Sequence, residues 1–429
     1  MRRDVLGFYS RLHQEFGDIV HFHLGPHSCY LLTHPDHIHE VLIRQAKKFR
    51  RSARFKQVFG RLQGDGVVTG DGERWARHRR IIQPAFQPAQ LAEYTGVVSQ
   101  LTNQMLNCWP TSGTVDFAEE MRRLTLRIVA QTLFSTNLGE AVKELSEAVE
   151  TIQSWGIKQL NRAFPTPRWF PLFSQPQVRR AFTFLNAHVA QIIRDRRKSP
   201  SARGDLLDHL LNDRGQAPLS DHEVHQEVAS MLVVGHETTA VALTWTVWLL
   251  ARHQNIQDQI ADEVSRLPRS PAFGDLSQLP TIEQAFREAT RLYPPIYTLS
   301  REVVEPVVIG GYEIPPRSLV FLSPYLTQRD PRWFPEPDRF DPPRFTPENE
   351  SQRPACSWFP FGTGPRGCIG RSFAQMEATL ILARLVQRFR LKPVQGQTEV
   401  QPEVEMLLRP KGGLRLTVFP RDRDGRKEE

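Results

Sequence analysis

Three groups of side chains in this chain have types and spacings that could do chemistry. Cys368 stands in the run Phe361-Gly-Thr-Gly-Pro-Arg-Gly-Cys-Ile-Gly370, a single thiol inside a glycine-rich turn. A thiolate is a nucleophile and a metal ligand, and a buried one needs backbone N–H groups, a positive charge or a metal to offset it. Gly362, Gly364, Gly367 and Gly370 let the main chain adopt unusual conformations and approach a flat ligand closely. Arg366 can aim a guanidinium at an anionic group beside the same ligand. The residues from Arg371 onward read as a helix, whose N-terminal dipole favours negative charge near Cys368.

The second group is Gly235-His-Glu-Thr-Thr239, set inside a long apolar pattern that reads as a helix over about 221–252. Glycine weakens a helix, and a buried Glu-Thr pair costs more unless it is hydrogen-bonded. Two such choices at the centre of an apolar helix mark a functional site. Gly235 can open space against a flat ligand. Thr238 can bond back to a carbonyl one turn earlier and loosen the ladder there. The third group is Glu288 and Arg291, three residues apart on one helix face in Thr281-Ile-Glu-Gln-Ala-Phe-Arg-Glu-Ala-Thr-Arg-Leu-Tyr293.

These patterns resemble, motif by motif, the cytochrome P450 superfamily of soluble, bacterial type. Phe361-x-x-Gly364-x-Arg366-x-Cys368-x-Gly370 resembles its haem-binding loop, Gly235-x-Glu237-Thr238-Thr239 its oxygen-activation motif, and Glu288-x-x-Arg291 its ExxR helix. Phe340-Asp-Pro-Pro-Arg-Phe345 resembles the PERF segment, with Pro343 in place of the usual Glu. Val234 stands where the family usually has Ala or Gly. The stretches around 234–245, 322–329 and 408–413 look similar to carotenoid-hydroxylase-like members.

The resemblance implies haem b held by Cys368 as axial ligand, with Phe361, Gly362, Arg366, Gly370 and Gly235 against the cofactor. Trp75 and Arg79, in a WxxxR segment, would reach a haem propionate, and Arg301 would supply a further donor. Thr238 would hydrogen-bond the activated dioxygen and Glu237 would deliver protons, as O–O cleavage requires. Glu288, Arg291 and Arg344 would form a structural triad behind the cysteine loop. The substrate pocket would be lined by Val67, Val68, Leu232 and Val234, and by Ile296, Thr298, Met406 and Leu407. No charged anchor stands out among them, so a sizeable apolar substrate is expected: a terpenoid, carotenoid, fatty acyl or polyketide-like compound. Arg74, Arg77, Arg80 and Arg371 would make a basic face for an acidic electron donor, a ferredoxin or flavodoxin fed ultimately by NAD(P)H.

The elements that must position these groups follow from pattern. Residues about 18–33 read as two strands around a Gly-Pro turn, and strand character returns over about 303–322 and near the C-terminus. Between about 88 and 293 the pattern is mainly helical. Ser220-Asp-His-Glu223 is a capping box that launches the long helix. The resulting expectation is a mainly α fold with small β-sheets (α+β). By the resemblance it is a triangular helical prism, residues 1–429 forming one domain with haem between the long helix and the loop 361–370. The aromatic, proline-rich stretch 164–173 reads as a pocket rim or as ordinary loop packing.

Composition narrows the class. The 429 residues are 40% hydrophobic and 24% charged, ordinary for a globular protein. The four cysteines form no CxxC pair, which argues against a zinc site or disulfide framework and fits a reducing, cytoplasmic location. The longest apolar stretch, 240–251, is too short to span a bilayer, and neither membrane anchor nor fused reductase is expected. The net charge of +8 fits an acidic protein partner better than nucleic acid, since no nucleic-acid module accompanies it. The expected function is a monomeric haem-thiolate monooxygenase that hydroxylates or epoxidises its substrate with O2. The alternatives are a peroxide-driven peroxygenase and a non-catalytic haem protein that binds ligands.

Overall fold

The computed structural model describes residues 4–160, 162, 175–200, 203–212, 218–267, 269 and 271–421. The stretch 164–173 lies outside the described residues.

The fold is organised around the helix Asp221–Arg252, which has the length that its cap and apolar pattern predict. Ser220 Oγ accepts the Glu223 N–H, and the Glu223 carboxylate accepts the Ser220 N–H, closing the capping box. At 32 residues it runs for about 48 Å and crosses the whole protein. Most of its residues from Val228 to Ala251 are buried on all sides, so it behaves as a core element and not as an amphipathic surface helix. Its main packing partner is the helix Phe117–Leu133. Trp245 fixes it further: the indole stacks on Tyr293 at 3.8 Å and donates to the Leu408 carbonyl at 2.8 Å.

Two separate β-rich regions join in one sheet. Its strand order is Ile19–Leu24, His27–Leu32, Leu319–Leu322, Leu299–Val303, Phe49–Arg50. Only the His27–Leu32 and Leu319–Leu322 pair is parallel. The strand expected to begin at 303 starts at Leu299, and Phe49–Arg50 joins as a short edge. Pro402–Val404 pairs with Leu408–Pro410, and Val307–Ile309 with Tyr312–Ile314.

Among the described residues, the expected helical region 88–293 is broken by one strand, Gly113–Asp116. It pairs with Arg415–Pro420, which also pairs with Phe389–Pro393. The four residues Gly-Thr-Val-Asp carry too little local pattern to announce a strand. The partner that makes them one lies about 300 residues away in sequence.

Candidate active site

The cysteine loop is a sequence of tight backbone turns. Phe359 accepts from the Gly362 N–H, Gly364 from Gly367, and Phe361 from Cys368, all at 2.9–3.0 Å. Gly362 and Gly364 lie at φ +63° and +69°, in the left-handed region. A Cβ at Gly364 would stand 2.0 Å from the Leu42 carbonyl oxygen, so both conformation and space require glycine there. Gly367 and Gly370 have negative φ, so the expected conformational need holds at two of the four glycines. Gly370 contributes its backbone instead, with its N–H directed at the Cys368 sulfur at the start of the helix Arg371–Arg388.

The exposed surface of Cys368 opens into an internal cavity of about 1400 Å³. Protein surrounds the thiol on the other sides. Burial raises its pKa, while the Gly370 N–H and the charges of Arg79 and Arg371 pull it back.

One edge of this cavity is crowded with cations. Arg366 lies over the Trp75 ring at 3.9 Å and binds Asp71 and the Gly70 carbonyl, each at 2.6 Å. Arg79 faces the same ring and donates to the Gly367 carbonyl at 3.0 Å. Arg301 lines the cavity with its Nη1 on the Ser300 carbonyl. Arg51, absent from the sequence reading, joins them with an unpaired, enclosed Nε. Burial and the mutual repulsion of these groups lower Arg301 to about 9 and Arg51 to about 10, with Asp71 the opposing carboxylate in both cases. The arrangement is short of negative charge. Arg51 escaped notice because Phe49-Arg-Arg-Ser-Ala-Arg54 reads as an ordinary basic surface run.

On the central helix, Met231, Val234, Gly235, Thr238 and Ala242 share the face that lines the cavity. Thr238 donates to the Val234 carbonyl at 3.1 Å, the back-bond expected of it. Leu232 does not line the pocket: the helical turn carries it into the core, where its carbonyl accepts from His236. Gly235 lines the cavity, and a side chain there would also stand 3.4 Å from Val129 on the neighbouring helix. Its absence lets the two helices approach.

Glu237 is turned away from the cavity by the same helical rotation. It is buried, its Oε2 has no partner, and its Oε1 faces Arg409 at 3.7 Å. Burial pushes its pKa up to about 7 against the pull of Arg409 and Arg122. A carboxyl poised there can both give and take a proton near neutrality.

Glu288 and Arg291 are fully buried and paired through two bonds of 2.6 and 2.9 Å. Arg344 Nε stands 3.4 Å from Glu288, and the Asp341 N–H donates to the same carboxylate at 2.9 Å. Arg291 also donates to the carbonyls of Gln328, Pro337 and Arg339. One link onward to the cysteine loop is Gln328, another residue the sequence did not reveal. Its Nε2 donates to the Thr290 and Arg291 carbonyls, and its Oε1 accepts the Phe359 N–H at 2.9 Å. A lone Gln in Leu322-Ser-Pro-Tyr-Leu-Thr-Gln-Arg329 carries no local signal of that role.

Comparison with known proteins places this architecture. A family model described as Cytochrome P450 matches residues 2–418. The chain belongs to the cytochrome P450 family. Cyclooctatin synthase of Streptomyces melanosporofaciens is 35% identical over 98% of this chain and 92% of that one. Pentalenene oxygenase of Streptomyces avermitilis is 31% identical over 94% and 90%. The solved cytochrome P450DA heme domain superposes with a TM-score of 0.89 at 27% identity, covering 99% of this chain and 94% of that one. A retinoic acid-bound cyanobacterial CYP120A1 gives 0.86 at 27%, covering 97% and 95%. This P450 is therefore a monooxygenase of that fold, mainly helical with small sheets.

The donor set suits the haem that the P450 family carries. A thiol opens into the cavity under a backbone N–H, and a cation-rich edge lacks the carboxylates that two haem propionates would bring. Val67, Val68, Val234, Ile296, Thr298, Met406 and Leu407 all line the same cavity. The basic residues expected to face an electron donor have partners of several kinds. Arg74 pairs with Glu223 at 3.2 Å, and Arg77 donates to the Pro218 carbonyl, so both serve the start of the central helix. Arg80 is exposed, and Arg371 sits over the Trp358 and Phe361 rings, close enough to act on Cys368. Among the described residues no helix is long and apolar enough to cross a membrane.

Proposed function

We propose that this P450 inserts one oxygen atom from O2 into a C–H bond or alkene of a sizeable apolar substrate. The observation that carries the reading is the placement of Cys368 and Thr238 on the lining of one cavity. Haem, when bound, supplies the redox chemistry that activates O2. Cys368 would hold the haem iron through its sulfur, with the Gly370 N–H and the charges of Arg79 and Arg371 favouring the thiolate against the effect of burial. Trp75, Arg79, Arg301, Arg366 and Arg51 would hold the propionates. Phe361 and Gly362 line the cavity beside the cysteine. Thr238 presents its hydroxyl to the oxygen site, and breaking its bond to Val234 frees it for that task. Glu237 replenishes the proton, drawing on the Arg409, Glu405 and Glu150 cluster behind it. Glu288, Arg291 and Arg344 keep the loop in place through Gln328.

Valine, isoleucine, leucine and methionine side chains make much of the cavity lining, which suits a hydrocarbon skeleton. One relative is named for an unsaturated alcohol, as cyclooctat-9-en-7-ol 5-monooxygenase, and another for pentalenene, which supports substrates of terpenoid type. Electrons come from a separate acidic donor, a ferredoxin or flavodoxin, that docks near Arg80 and Arg371. The protein works as a cytoplasmic monomer.

The deciding experiment is the absorption spectrum of purified, dithionite-reduced protein with and without carbon monoxide. A strongly red-shifted Soret band is the expected result. A band typical of histidine-ligated haem, or no haem after reconstitution, removes Cys368 as ligand and the mechanism with it.

A further inference from the structure

Gln153 lies on the helix Ala141–Leu160, on the face that also presents Ile157 and Leu160 to the cavity. It lines the cavity, is only 6% exposed, and its amide oxygen is enclosed without a hydrogen-bond partner. The same cavity is lined also by the apolar Val129, Leu133, Met231 and Val234. Several other neutral polar groups of the lining are already engaged, although the Ser318 hydroxyl is, like the Gln153 amide oxygen, enclosed without a partner. Thr238 donates to Val234, Thr290 to Phe286 and Arg287, Thr298 to Leu322, and Tyr297 to Glu405. An amide left unsatisfied in an apolar wall is costly unless something that enters the cavity pairs with it.

We propose that Gln153 hydrogen-bonds a hydroxyl group of the substrate, making this P450 selective for apolar alcohols over the matching hydrocarbons. The proposal rests on the monooxygenase reading of the cavity. The ligand group follows from the amide. Rotation about its last bond exchanges a donor end for an acceptor end, and a hydroxyl both donates and accepts. It therefore pairs with Gln153 in either orientation, whereas an ether or ketone pairs with one. A charged group is not selected, because the amide itself carries no charge to offset it. An alcohol as substrate also places the reaction after one that installs the hydroxyl, an earlier hydroxylation or the capture of water by a carbocation.

The test uses haem-loaded protein and two matched pairs, cyclododecanol with cyclododecane and cedrol with cedrane. Dissociation constants are read by equilibrium dialysis and by the spin-state shift of the Soret band. Wild type should bind the alcohol of at least one pair about tenfold more tightly than the hydrocarbon, the factor a single neutral hydrogen bond supplies. Gln153→Leu should bring that ratio close to one by weakening the alcohol and sparing the hydrocarbon. Gln153→Met serves if the leucine variant fails to load haem. Equal binding within both pairs, a ratio unchanged in the variants, or no binding of any member overturns the proposal. Loss of the monooxygenase reading is separately visible, since the reduced carbon monoxide spectrum of the same samples would lack the thiolate band while the dialysis ratio stays measurable.

Discussion

Arg409 Nη2 stands 3.7 Å from Glu237 Oε1 and 2.6 Å from Glu405 Oε2, so one guanidinium serves a buried acid and an acid near the surface. Its Nη1 donates to Glu150 at 2.6 Å. Glu150 and Glu405 retain about a third of their side-chain exposure, whereas Glu237 is almost fully enclosed. The cluster thus connects solvent to the interior of the central helix, one residue from Thr238. It also explains how a carboxyl can be tolerated there. Arg409 offsets part of the burial cost, and protonation near neutrality offsets the rest.

That balance has a measurable sign. The pKa of Glu237 rises from 4.5 to about 7 on folding, so the folded state holds the proton more tightly. The associated stability is fully present below pH 4.5 and is lost as pH rises through 7. Over that window wild type should lose up to about 3 kcal/mol relative to Glu237→Gln. Urea denaturation of both proteins at pH 5 and pH 8 checks it. Parallel pH dependences would mean that Glu237 is not held protonated by its surroundings.

A second contrast separates two glycines of the cysteine loop. Gly364→Ala must place a side chain in the left-handed region and against the Leu42 carbonyl. The conformational part alone costs about 1–2 kcal/mol, and the clash adds to it. Gly370→Ala meets nothing closer than Phe86 at 3.6 Å and has ordinary φ. The first variant should lose most of its haem and the second should retain it, as haem-to-protein ratios after identical purification will report. Equal loading in both would show that the loop tolerates a shift of its backbone.

The difference between those glycines marks where sequence stops being informative. Motif spacing located Cys368, Thr238, Glu288 and Arg291, because each sits in a run whose residue types are improbable together for any other reason. The central helix was equally legible from Ser220, Glu223 and its unbroken apolar pattern. What the sequence hid was orientation. Leu232 and Glu237 flank cavity-lining residues, and only the helix rotation shows that they face elsewhere. Arg51 and Gln328 were hidden for a different reason: their partners are distant in sequence, and a lone Arg or Gln looks like surface. The strand Gly113–Asp116 belongs to the same class.

Arg51 offers a prediction of opposite sign in two states. In the protein without haem it is an enclosed cation repelled by Arg366, with an unpaired Nε. Arg51→Met should therefore stabilise the haem-free protein, by about 1 kcal/mol for the unsatisfied group removed. With haem bound the same change removes a propionate partner and should speed haem transfer to apomyoglobin. Thermal melts of the haem-free protein and a haem-transfer assay read the two effects. Destabilisation of the haem-free form would place Arg51 in the structural framework instead of the anchor.

The triad behind the loop makes the most demanding prediction. Glu288→Ala leaves Arg291 buried and frees the Asp341 N–H, and breaking one partner of such a pair costs about 3–5 kcal/mol. Loss of stability alone would not distinguish the triad from any other buried pair. Gln328 supplies the distinction, because it is the bond from this assembly to Phe359, two residues before Phe361. Gln328→Leu keeps Glu288 and Arg291 paired but cuts that bond. If the triad acts by holding the cysteine loop, Gln328→Leu should lose haem at a denaturant concentration where its helices remain folded. Soret absorbance and far-ultraviolet circular dichroism, followed together through a urea titration, would show two separated transitions. Coincident transitions in Gln328→Leu, with normal haem content, would mean that the loop is held by other contacts and that the triad supports the fold in general.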